Sequence, residues 1–244
     1  MRNSEFYNDL SSNYDEMINF ERSLNNKTNL LRKFITPEHK LALDLGCGTG
    51  VDSIALSKLG LKVDAVDHSE GMLIQAKANS EKHKTSINFI KSSLTEYSVR
   101  DKRYDFVLSL GNTIANIDQS EVQKVFGNLK TMINIGGKIL VQMINYAKLP
   151  KSGSYILNQN QTDHVTITRK YIIHQNHINF IIDRIDKNQN QQSQIVTKLY
   201  PHSVAELRQI AEDNNLNIKF FGDLKKETFF EDKSKNLVVT LTKK

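Results

Sequence analysis

The tightest constraint on this chain lies at positions 41–50, which read Leu-Ala-Leu-Asp-Leu-Gly-Cys-Gly-Thr-Gly. A short apolar run takes in one acid, Asp44, and then meets three glycines at alternate positions. An apolar pattern of helical spacing follows over 51–59. This is a strand, a tight loop and a helix start. Glycine is needed where φ turns positive and where a ligand must approach bare backbone. The first turn of the helix has N–H groups with no partner inside the helix, and these face electron-rich atoms. The segment Leu61-Lys-Val-Asp-Ala-Val66 reads as a second strand and ends in Asp67, seventeen residues after Gly50. An acid at about that distance from a glycine loop suits the two hydroxyls of a ribose. The pair of features predicts an adenosine-type ligand across the first two strands.

The rest of the chain alternates in the same way. Strands are expected at 41–45, 62–66, 87–91, 104–110 and 138–144, the last opened by a Gly136-Gly137 turn. Helices are expected at 50–59, 70–82 (capped by Ser69) and 119–132. Alternation of this kind gives a parallel sheet with helices on both faces, and ligands then sit beyond the carboxyl ends of the strands. Apolar positions at helical spacing over 5–35 predict two helices ahead of the sheet, stopped by Pro37. Residues 154–200 lack a helical pattern. Segments 165–173, 178–185 and 193–200 alternate at period two and predict a three-stranded antiparallel insertion. A helix at 203–214 capped by Ser203 and strands at 217–221 and 236–242 complete the sheet. The expectation is a single α/β domain over 1–244. It has a Rossmann-like, doubly wound, seven-stranded sheet (37–150 and 201–244), an N-terminal helical lid (1–36) and an antiparallel β insertion (151–200).

Composition narrows the function classes. The chain has 244 residues, a net charge of +6 and one cysteine, Cys47. Residues 1–150 carry 19 basic and 17 acidic groups, and residues 151–244 carry 14 and 10, so no dense basic block exists to track a nucleic acid. A lone cysteine forms no internal disulfide, no apolar run is long enough to span a bilayer, and Met1-Arg-Asn-Ser-Glu is not an apolar leader. A cytoplasmic location is the expectation. His164, His174 and His177 lie in alternating segments without clustered acids, so no metal site is expected.

The D-x-G-x-G-x-G run at Asp44–Gly50 has its third glycine one place early for a dinucleotide fingerprint. A Rossmann turn for another nucleotide remains the alternative. The run resembles motif I of the class I S-adenosyl-L-methionine (AdoMet)-dependent methyltransferases, whose product is S-adenosyl-L-homocysteine (AdoHcy). Later segments, in order, resemble the glycine/sarcosine N-methyltransferases: Gly48-Thr-Gly-Val-Asp-Ser-Ile54, Ser109-Leu-Gly111-Asn112-Thr113, Asn145-Tyr146, Tyr200-Pro201-His202 and Gly222-Asp223-Leu-Lys225. The resemblance implies a cofactor site at Asp44, Gly46, Cys47 and Gly48, with Gly50 closing the loop. Asp67 would take the ribose, beside His68 and Met72. Ser93 and Leu94 would meet the adenine, Leu110 would lie near the sulfonium, and Arg22 would pair with the AdoMet carboxylate. Asn112, Tyr14 and Tyr146 would serve the reaction itself. Asn112, Ile144, Arg184 and Tyr200 would border the acceptor.

One departure concerns the acceptor. Ile144 stands where the family places a carboxylate-binding arginine. Either Arg184 replaces that cation or the acceptor is not an amino acid. The expected partner is a small-molecule methyl acceptor, an amine by resemblance, and related proteins often form homo-oligomers. Two other readings stay open: a methyltransferase of RNA or another macromolecule, and an AdoMet-binding module without turnover.

Overall fold

The computed structural model describes residues 3–188 and 190–243, with the side chains of residues 3–5, 9, 12 and 13 left aside. Two helices, α1 (Asn3–Ile18) and α2 (Phe20–Leu31), precede the first strand. Asn19 separates them in the left-handed region at φ 51°. Then come β1 (Leu41–Leu45), α3 (Val51–Lys58), β2 (Lys62–Asp67), α4 (Glu70–Lys82), β3 (Ile87–Lys91), β4 (Tyr104–Ser109), α5 (Gln119–Met132) and β5 (Ile133–Ile144). Four further strands follow: β6 (Gly153–Gln161), β7 (Val165–Ile173), β8 (Ile178–Asp186) and β9 (Gln191–Leu199). The chain closes with α6 (Val204–Asp213), β10 (Leu216–Phe221) and β11 (Asn236–Lys243).

The main sheet has seven strands in the order β10-β11-β5-β4-β1-β2-β3. β11 runs antiparallel to β5 and β10, and the remaining pairs are parallel. Its two apolar faces explain the layers. One face carries Leu43, Val107, Val141 and Val239 against α5 and α6. The other carries Ala42, Phe106, Leu108 and Leu140 against α2 and α3. The order reverses between β1 and β4, which opens a crevice at their carboxyl ends.

Helix ends follow local chemistry. Ser69 caps α4 by accepting from the N–H of Met72, and Asp118–Glu121 and Ser203–Glu206 form capping boxes on α5 and α6. Each such cap stabilises its helix by about 1 kcal/mol.

Two features differ from the sequence expectation. The insertion has four strands, β6-β7-β8-β9, instead of three. All of β6 is exposed, so it has no buried face to impose alternation on its sequence. β5 begins at Ile133, because Gly136 (φ 79°) and Gly137 lie within the strand as an irregularity in its pairing with β4. No helix among the described residues is long and apolar enough to cross a membrane.

Candidate active site

The crevice is built from the ends of β1, β2 and β4. After Leu45 the chain turns sharply, and the N–H groups of Gly46 and Cys47 both donate to the Val66 carbonyl, at 2.8 and 3.0 Å. Gly46 sits at φ +77°, and a Cβ there would lie 2.2 Å from Thr113 Cγ2. Only glycine allows the loop to pass beneath the segment after β4. At Gly48 (φ +54°) a Cβ would meet nothing within 4 Å, because this backbone faces open space. A cavity of about 240 Å³ lies above it.

Asp67 ends β2. Its Oδ2 accepts from Gly48 N at 2.9 Å and its Oδ1 from Ser69 N at 2.9 Å. The carboxylate therefore ties the loop to the start of α4 and still has lone pairs for two hydroxyls. His68 Nδ1 lies 3.4 Å from Asp67 Oδ1. Met72, Leu94 and Leu110 supply apolar walls along the same cavity.

Acidic groups cluster below the loop. Asp44 is buried and accepts from Ser53 Oγ at 2.5 Å. Burial, together with the neighbouring Asp52 carboxylate, holds it well above the usual carboxylate range. Cys47 is buried as well, and its thiol is pushed up by burial and by Asp44, which disfavours the reactive thiolate.

The roof comes from α1 and α2. Tyr7 and Tyr14 of α1 and Ser23 and Lys27 of α2 line the cavity opposite the glycines. Lys27 Nζ reaches both oxygens of Asp52 at 2.9 Å. α1 is fastened to α4 by two side chains. Asn8 Oδ1 accepts from Ser69 Oγ (2.7 Å) and Gly71 N (3.0 Å). Asp15 Oδ2 accepts from Gln75 Nε2 and Asn79 Nδ2, both at 2.8 Å. Asn79 also donates to the Thr49 carbonyl at 3.0 Å, which links the lid to the glycine loop.

Beyond Leu110 lies a polar and aromatic end. Asn112 adopts φ 70°. Its Oδ1 accepts from Ile144 N at 3.0 Å, and its amide and the Tyr146 hydroxyl are in mutual contact at 2.7 and 3.0 Å. Tyr7 donates to Asn116 Oδ1 at 3.2 Å. Burial keeps the hydroxyls of Tyr7, Tyr14, Tyr146 and Tyr171 protonated, with Tyr14 and Tyr171 pushed up to about 12. His202 is buried beneath this turn, and its Nε2 donates to the carbonyls of Ile114 (3.3 Å) and Ile117 (2.9 Å).

Several sequence-chosen residues lie elsewhere. Arg22 is exposed on the outer side of α2 and does not line the cavity; Lys27, later on the same helix, does. Ser92 lines the cavity, whereas Ser93 turns away to Glu96. Asn112 is engaged with Tyr146 and Ile144, and the amide that lines the cavity is Asn116. Arg184 is exposed and paired with Asp186 at 3.0 Å, away from the cavity lining. Tyr200 gives its N–H to the Ala115 carbonyl at 2.7 Å and lies outside the cavity. Ile144 packs beside Tyr146 in an apolar cluster with Tyr171. Among the described residues no group of three or more metal-type ligands exists.

Fold and crevice define a doubly wound α/β protein with a cavity at the switch of strand order. Comparison with known proteins narrows this. Residues 42–137 match the methyltransferase domain family. A ribosomal protein L11 methyltransferase of Campylobacter fetus subsp. fetus is 37% identical over 118 residues, 48% of this chain and 40% of that protein. The glycine N-methyltransferase of Oryctolagus cuniculus is 32% identical over 126 residues, 46% of this chain and 43% of that protein. The chain thus spans less than half the length of these curated relatives. The crystal structure of an S-adenosylmethionine-dependent methyltransferase from Clostridium acetobutylicum superposes with a TM-score of 0.81 at 14% identity, covering 97% of this chain and 98% of that one. The similarity is thus to methyltransferases, and the superposed neighbour's cofactor is S-adenosylmethionine.

The cavity suits that cofactor. Bare backbone at Gly48, a carboxylate with open lone pairs at Asp67 and apolar walls at Met72 and Leu94 match a methionine end, a ribose and an adenine.

Proposed function

We propose that this chain transfers the methyl group of AdoMet to the nitrogen of a small-molecule amine. AdoMet, when bound, supplies an activated methyl on a sulfonium. The glycine loop and Asp67 hold the nucleoside and methionine ends, and Lys27 serves the carboxylate. Ser92 and Leu94 border the adenine. The protein's remaining task is to align a neutral amine with that methyl and to exclude water. Alignment of this kind contributes about 7–11 kcal/mol to the barrier reduction. Asn116 and the tyrosine hydroxyls orient the acceptor, and the Asn112–Tyr146 pair fixes the backbone at Ile144. No general base is needed once the amine arrives neutral.

The observation that carries this reading is the roof. Tyr7 and Tyr14 enclose the cavity from above while the glycine loop forms its floor. Such enclosure suits a small acceptor better than a nucleic-acid strand, which needs an open basic face. The glycine N-methyltransferase relative is named for a small amine, and the L11 relative for a protein. A labelled-AdoMet assay against a metabolite library tests the proposal. Methyl incorporation into an amine supports it. Incorporation into RNA or ribosomal protein alone, or AdoMet binding without turnover, overturns it.

A further inference from the structure

The antiparallel sheet has one edge covered and one edge free. β9 lies against α1, with Ile195 in one cluster with Phe6 and Tyr14. β6, at the opposite edge, pairs with β7 alone, and its nine residues are all exposed. A free edge presents a row of unpaired N–H and C=O groups to any strand that can meet it, and natural sheets blunt such edges with charge, with proline or with a bulge. β6 has neither charge nor proline from Gly153 to Gln161. It does have a shift of register with β7 between Ile156 and Asn158, and apolar side chains crowd at that point. Tyr155, Ile156 and Leu157 are 42%, 61% and 38% exposed, so three of the seven large apolar side chains exposed among the described residues stand in a row here.

The flanking charges choose the occupant. The uncharged stretch runs from Ser152 to Thr162 and is bounded by Lys151 on one side and Asp163 on the other, both exposed. Each stands six residues from Leu157. When the strand meets a copy of itself in antiparallel register about Leu157, Lys151 of each copy lies opposite Asp163 of the other. A parallel pairing would instead set lysine on lysine and aspartate on aspartate, and like charges directly opposite are unfavourable. Within the antiparallel ladder Leu157 meets its own counterpart, Ile156 meets Asn158 and Tyr155 meets Gln159, so no charge is enclosed. A two-fold contact of this kind uses the same surface on both copies and closes on itself. The covered β9 edge leaves this sheet no second edge for further growth.

We propose that β6 is the seam of a homodimer, in which two copies join their four-stranded sheets into one of eight strands through an antiparallel β6–β6 pair centred on Leu157. Tyr155 is the register partner of Tyr171, which packs with Ile144 and Tyr146. The seam therefore lies one strand away from the polar end of the cavity. This inference is independent of the methyl-transfer reading.

Sedimentation equilibrium of the full chain over a range of concentrations tests it. The wild type should reach a dimer and stop there. L157K sets two lysines face to face at the centre of the ladder and should abolish the dimer. K151D and D163K, taken singly, each replace two attractive contacts by two repulsive ones and should raise the dissociation constant about tenfold. The double exchange K151D/D163K restores both contacts and should return the constant to the wild-type value. Circular dichroism spectra matching the wild type establish that the variants are folded. Should L157K not fold, hydrogen exchange of the wild type replaces it, and amides within 153–161 should slow as concentration rises. A wild type that stays monomeric up to its solubility limit or assembles beyond a dimer would overturn the inference. So would a dimer that survives L157K, a double exchange no tighter than the single ones, or exchange at 153–161 that ignores concentration.

Discussion

The backbone N–H of Gly48 donates to Asp67 Oδ2 at 2.9 Å, so one carboxylate fastens the glycine loop to the end of the second strand. Asp67→Ala removes both that tie and the carboxylate proposed to take the ribose hydroxyls. Affinity for AdoMet should fall about ten- to a hundredfold, as expected for losing hydrogen bonds to a charged group. Calorimetric titration decides this, and unchanged affinity would remove Asp67 from the cofactor site.

The glycines of the loop should respond unequally to alanine. At Gly46 the new Cβ meets Thr113 Cγ2 at 2.2 Å in a left-handed backbone, whereas at Gly48 it meets nothing within 4 Å. Backbone strain costs about 1–2 kcal/mol at either site, and overpacking adds about 1–3 kcal/mol at Gly46 alone. Urea denaturation should rank Gly46→Ala clearly below Gly48→Ala in stability. Gly48→Ala should show its larger effect on AdoMet affinity.

Lys27 and Arg22 lie on one helix but on different sides of it. Lys27→Ala should weaken AdoMet binding about tenfold and free the Asp52 carboxylate that it now neutralises. Arg22→Ala should leave affinity unchanged, because Arg22 is exposed outside the cavity. The reverse ranking in a direct binding assay would restore the role for Arg22 that the resemblance implies.

Asn112 receives the N–H of Ile144 at 3.0 Å and touches the Tyr146 hydroxyl. Asn112→Ala strands a backbone donor and should cost about 1–3 kcal/mol of stability. Tyr146→Phe should cost less. Both should lower turnover of an identified acceptor at saturating AdoMet while AdoMet affinity stays level. A fall in AdoMet affinity alone would place this pair with the cofactor instead.

His202 should make the protein sensitive to mild acid. Burial first, against two carbonyl partners, lowers its folded-state value below the ordinary 6.5. Above that value neither state is protonated and the stability is fully present. As the pH drops through it, the unfolded chain takes up a proton that the folded chain refuses, and stability declines. His202→Gln should reduce the slope of unfolding free energy between about pH 7 and 5. Buried His39 is shifted in the same direction and should leave part of that slope.

Two kinds of signal made parts of this fold legible in advance, a side-chain pattern imposed by burial and capping chemistry at helix starts. β1, β2 and β4 are buried nearly throughout because both faces are covered, and apolar residues fill most positions of β1 and β4. Ser69 and Ser203 announce helix starts by chemistry local to the chain. β6 carries no such pattern, since nothing covers it. Gly136-Gly137 reads as a turn but lies inside a strand, because pairing with a neighbour overrides local preference. In the site, residue types were easier to foresee than rotations. Arg22 and Lys27 are both cations on α2, and only packing against α3 decides which looks inward.

The left-handed residue Asn19 joins α1 to the remainder of the chain, and Asn8 and Asp15 pin that helix across the crevice. A nucleoside held beneath α1 is covered by a helix whose hold on α4 depends on these two side chains, so replacing Asn8 and Asp15 by alanine should quicken its release.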